Sequence, residues 1–131
     1  MLTPYEIAVR SVIPAVRRMI AHHLIADHGF TQQRAAAVLG ISQSAISRYD
    51  TLERGAAINL DARPDVLNKV TVLADEIAGG NLSPSAVARK IDSICDYVIS
   101  NGYMCEFHAK VEPAIKDTDC SVCLQNDSTT A

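Results

Sequence analysis

The stretch that most constrains this chain runs from Thr31 to Tyr49, TQQRAAAVLGISQSAISRY. It reads as two short helices around a tight turn. Thr31 caps a helix over Gln32 to Leu39, because its hydroxyl can accept from a backbone N–H that has no partner inside the helix. Gly40 ends that helix, since glycine tolerates the left-handed backbone of a sharp exit, and Ser42 caps a second helix that starts at Gln43. Ala36 is small where the two helices approach, and Leu39, Ile41 and Ile46 fill their shared core. Gln43, Ser44, Ser47 and Arg48 are then expected to face away from that core.

A second helix with so many hydrogen-bonding side chains near its N-terminus suits a recognition helix that enters a DNA groove. The plainer alternative is a helical hairpin whose polar face is solvated. An alanine, a glycine and two aliphatics at set offsets favour the DNA reading. The candidate DNA contacts are Gln32, Gln43, Ser44, Ser47, Arg48 and, after the second helix, Arg54. The stretch resembles the helix-turn-helix of phage-repressor-like, XRE-type transcriptional regulators. Ile13 to Arg17, Gly40 to Gln43 and the cysteine-bearing tail resemble a group of small archaeal regulators of that type. The resemblance implies binding to a double-stranded DNA operator, usually as a homodimer. Two copies would then meet half-sites about one turn apart, roughly 34 to 36 Å.

Charge divides the chain. Residues 1–60 carry a net charge of +2 and residues 61–131 a net charge of −5. A weakly positive first part joined to an acidic second part fits a DNA-binding region (1–60) followed by a helical dimerisation and sensor region (61–123) and a disordered polar tail (124–131). The positive excess is small, so useful affinity should come from groove placement more than from phosphate attraction. The N-terminus lacks a basic segment followed by an apolar block, and no apolar run would span a bilayer, so a cytoplasmic protein without a membrane partner is expected. No enzyme is expected either. The chain has no nucleophile with a base at recognisable spacing, no phosphate loop and no open metal-site motif beside a general base.

Aliphatic residues are plentiful and aromatic residues few, which suits an all-α fold. The resemblance implies that this fold is a phage-repressor-like helix-turn-helix bundle, followed here by a C-terminal helical hairpin and a cysteine-rich metal-binding tail. Thr3 to Glu6 is a capping box with proline at the first helical position, and Pro14 predicts a kink or restart near Ser11 to Ile13. Ile13, Val16, Ile20 and Leu24 then form one apolar face closed by Gly29, with Arg17 and Arg18 on the exposed side. His22, His23 and His28 lack cysteine or acidic partners at ligand spacing and are read as ordinary surface histidines. Asp50 to Arg63 reads as helix end and linker. Pro64 opens a helix whose stripe is Val66, Val70, Leu73 and Ile77. Ser83 caps another with Val87, Ile91, Ile94 and Val98. These two stripes can pack onto the DNA-binding helices or onto a second copy of the chain, where they are the candidate interface.

The four cysteines, Cys95, Cys105, Cys120 and Cys123, all lie near the C-terminus. In a reducing compartment they argue for metal or redox chemistry over a disulfide framework. Two ligand sets are open. Cys105, His108, Cys120 and Cys123 could hold zinc, leaving Cys95 as a small buried hydrophobe. All four cysteines could instead hold an iron–sulfur cluster of the 4Fe-4S type, although their spacing is not a standard ferredoxin run. The use of every cysteine, and the resemblance to cysteine-tailed regulators, favour the cluster, which would give the regulator a redox or iron sensor. The competing function is a zinc-stabilised module that binds protein or DNA without sensing.

Overall fold

The computed structural model describes residues 2–50 and 58–113, with the side chains of Tyr49 and Asp50 outside that description. All regular structure among the described residues is helical: α1 (Pro4–Arg10), α2 (Val12–His28), α3 (Gln32–Leu39), α4 (Gln43–Asp50), α5 (Pro64–Ala78), α6 (Pro84–Ser100) and α7 (Cys105–Val111). Arg54, Cys120, Cys123 and the polar tail lie outside the described residues.

The first helix forms where its capping box predicts. Thr3 Oγ1 accepts from the Glu6 N–H at 3.3 Å, and Glu6 Oε1 accepts from the Thr3 N–H at 2.9 Å. Pro14 has no N–H to give to the carbonyl of Arg10, so the chain breaks and restarts at Ser11. Ser11 is fully buried there and donates its hydroxyl to the Ile7 carbonyl at 2.8 Å, which satisfies both groups.

The restarted helix α2 is the axis of the fold, packed against α1, α3, α5 and α6 and, less extensively, α4. Its buried residues, Val12, Ala15, Val16, Met19, Ile20, Ala21 and Leu24, therefore spread beyond one stripe. This corrects the expectation for Arg17 and Arg18. A helix enclosed by five others has little solvent face, and both arginines are half-buried, each with its Nε shielded from water. Arg18 reaches Asp61 through Nη2.

The stripes of α5 and α6 are both buried, Val66, Val70, Leu73 and Ile77 on one helix and Val87, Ile91, Ile94 and Val98 on the other. They go into the core of the same chain, against α2. A contact between copies would therefore have to use other residues. The apolar core is continuous across residue 60, where Leu60 is fully enclosed although it falls in the expected linker.

Helix α7 has no counterpart in the sequence reading. Met104 just before it is fully buried, and Glu112 just after it accepts from the Leu2 N–H at 2.6 Å, which ties the start of the described chain to its end. A second fastening joins α5 to α6. The Tyr97 and Tyr103 hydroxyls both donate to Asp65 Oδ2, the latter at 2.7 Å. No helix among the described residues is long and apolar enough to cross a membrane.

Candidate functional site

The α3–α4 unit is built by local chemistry. Thr31 Oγ1 accepts from the Arg34 N–H at 3.0 Å and starts α3. Gly40 ends it at φ 69° and ψ 31°, with the Ile41 N–H returning to the Ala36 carbonyl at 3.0 Å. A Cβ at Gly40 would meet nothing, so backbone conformation rather than crowding selects glycine here. Ser42 Oγ accepts from the Ala45 N–H at 3.1 Å and starts α4.

Ala36, Leu39 and Ile46 are buried as expected, and Ile41 is half-buried. Ala35 and Ala45 join them, a contribution the sequence reading left out although both sit beside the named positions at helical spacing. Gln43, Ser44, Ser47 and Arg48 are all exposed. Gln32 is half-buried and accepts from the Ser47 hydroxyl at 3.2 Å, so it joins the first turn of α3 to the polar face of α4.

The electrostatics of this face are one-signed. From His28 to Tyr49 the chain has no aspartate or glutamate, while Arg34 and Arg48 are both exposed cations. The Arg34 guanidinium lies 3.9 Å over the ring of buried Phe30. That contact fixes the direction of a long side chain that is otherwise free to wander. Arg34 was missing from the candidate contacts, and its position four residues after an aromatic was the available signal.

Two of the three histidines of α2 pair with carboxylates. His23 Nδ1 is 2.7 Å from Asp27 Oδ2, and His28 Nε2 is 2.8 Å from Asp75 Oδ1.

The described cysteines stand in different surroundings. Cys95 is enclosed in the core with Ile91, Ile94 and Val98. Burial pushes its thiol up to about 12, reinforced by Asp92 and Asp96 and opposed by Arg17. Its surroundings are those of a small packed apolar side chain. Cys105 is exposed at the start of α7. His108, three residues on, is buried, with Nε2 3.1 Å from Glu112 Oε1. The Leu2 N–H, and secondarily His108, hold the Glu112 carboxyl below its ordinary range. Residues three apart on a helix are neighbours, and a carboxylate behind a histidine is the usual means of orienting a ligand ring, so these donors fit the zinc set. Among the described residues no three such side chains converge, so a metal would also need ligands from beyond them.

Compared with known proteins, the chain matches no family model, no curated protein and no solved structure.

Proposed function

We propose that the chain is a sequence-specific DNA-binding transcriptional regulator that reads a duplex with α4, in the manner of the XRE-type helix-turn-helix. The observation that supports it is the polar face of Gln43, Ser44, Ser47 and Arg48, exposed on a helix held by Gly40 and Ser42 at a fixed angle to α3. In the major groove, Gln43 has the donor and acceptor needed for bidentate bonding to adenine. Ser44 and Ser47 are short enough to let the helix approach, and Gln32 steadies Ser47. Arg34 and Arg48 flank the face and suit phosphate contacts.

One such unit reads few base pairs, so the regulator acts as a homodimer in the cytoplasm on two half-sites. The experiment is selection of bound sequences from a pool of random duplexes, followed by affinity measurements at two salt concentrations. A recurring two-fold-symmetric sequence is expected. Retention of random duplexes alone, with no enriched sequence, would refute the reading and favour a module that binds protein.

The enclosure of Cys95 favours a zinc ion on Cys105, His108, Cys120 and Cys123 over an iron–sulfur cluster on four cysteines. Zinc would there fasten the segment after α7 to the fold. Anaerobic purification with an absorption spectrum and analysis for zinc, iron and sulfide distinguishes the two. Iron with matching sulfide and a visible chromophore would restore the cluster and its sensing role.

A further inference from the structure

Between α2, α3 and α6 lies a cleft of about 300 Å³, at the small end of the range for ligand sites. Ile13 of α2, Val38 and Leu39 of α3, and Val87 and Ile91 of α6 form its apolar walls. Two charged residues also line it, Arg17 from α2 and Asp92 from α6. The Nε of Arg17 and that of Arg18 are both shielded and without a hydrogen-bond partner, but Arg18 reaches Asp61 through Nη2, whereas among the described residues no carboxylate stands within ion-pair distance of Arg17. A guanidinium charge at the wall of a cleft and without a carboxylate of its own suits an anionic ligand group, and a carboxylate matches its planar set of donors.

Asp92 narrows the choice. A simple carboxylate in this cleft would meet the Asp92 charge, and a simple amine would meet Arg17. A molecule with both groups and an aliphatic body satisfies each wall. We propose that this cleft binds a small aliphatic α-amino acid of the size of valine or leucine, its carboxylate on Arg17, its ammonium on Asp92 and its side chain against the apolar walls. The cleft is also lined by Gly40, the hinge between α3 and α4. An occupant therefore touches the turn that aims α4, and the amino acid is an effector of operator binding. That last step rests on the DNA reading; the binding site does not.

The test is calorimetric titration of the full chain with L-leucine and L-valine. The controls are 4-methylpentanoate, which lacks the ammonium, and 3-methylbutylamine, which lacks the carboxylate. At least one amino acid should bind at submillimolar concentration, and each control should bind about tenfold more weakly or worse. Arg17→Met should weaken the amino acid by a similar factor. Because Arg17 is half-buried, a second variant is needed: Ala88→Leu fills the cleft from an exposed position of α6 and should abolish binding with the core intact. No heat from either amino acid at millimolar concentration would overturn the proposal. So would a control that binds as tightly as its parent amino acid, or undiminished binding by Ala88→Leu. The titration needs no DNA, so its failure leaves the operator reading standing, and failure of operator selection leaves the titration standing.

Discussion

Gly40→Ala should destabilise the chain, and Gly79→Ala should not, although both residues follow a helix. Gly40 sits at φ 69°, where an L-residue costs about 1–2 kcal/mol. A Cβ there touches nothing, so no packing term enters on either side. Alanine also restricts the unfolded chain, which returns about 0.4–1 kcal/mol. The net loss is therefore about 0–1.6 kcal/mol. Gly79 has ordinary right-handed backbone, φ −68° and ψ −14°. Its added Cβ would meet the Glu76 and Asp75 carbonyl oxygens at 3.4 and 3.6 Å, ordinary contact distances. Only the unfolded-chain effect remains, a gain of about 0.4–1 kcal/mol. Urea unfolding followed by circular dichroism measures both, provided the slopes match the parent. The unfolded-chain effect is common to both variants, so Gly40→Ala should be about 1–2 kcal/mol less stable than Gly79→Ala, and equal stability of the two would refute the backbone argument for the α3–α4 turn.

Gln43→Ala should lose about 1–3 kcal/mol of discrimination at one base pair of a selected operator, with unfolding unchanged because the side chain is exposed. Competition binding against single-base operator variants measures it, and unaltered selectivity would remove Gln43 from the reading. Cys95→Ser should cost about 1–3 kcal/mol by burying a hydroxyl without an assured partner, while Cys95→Ala should keep the metal content of the parent; loss of metal from Cys95→Ala would make Cys95 a ligand after all. The Tyr97 and then the Tyr103 hydroxyl hold the Asp65 carboxyl below its ordinary range, so its contribution is complete above the usual carboxylate pKa and fades as pH falls through the lower folded value. Bonding to Asp65, with desolvation, raises Tyr97 to about 12, and that contribution is complete below the ordinary tyrosine pKa and fades as pH rises toward 12. Asp65→Asn should flatten both limbs of a plot of urea midpoint against pH, and an unchanged profile would show that the cluster does not couple to folding.

What the sequence alone determined is the local architecture. Thr3, Thr31, Ser42 and Ser83 start helices within three residues of themselves, and Gly29 and Gly40 stop them through their own backbone angles. The Pro14 restart is equally local, because the missing N–H concerns only the preceding turn. The polar face of α4 was legible for a related reason: helical spacing carries Gln43, Ser44, Ser47 and Arg48 away from the side formed by Ala45 and Ile46.

Tertiary structure alone decided where each face goes. The stripes of α5 and α6 carry the same spacing whether they meet α2 or a second copy, so periodicity could not choose between them. Arg17 and Arg18 read as solvent-facing until five helices closed around α2. Asp65 meets Tyr97 and Tyr103, and His28 meets Asp75, across more than thirty residues of chain, pairs that no local pattern encodes. Cys95 and Cys105 are alike as letters, yet packing encloses one thiol and exposes the other. Caps and turns depend on bonds that reach a few residues. Burial, and with it the charge state of a thiol or the lack of a partner for a guanidinium, depends on which distant surfaces the fold brings together.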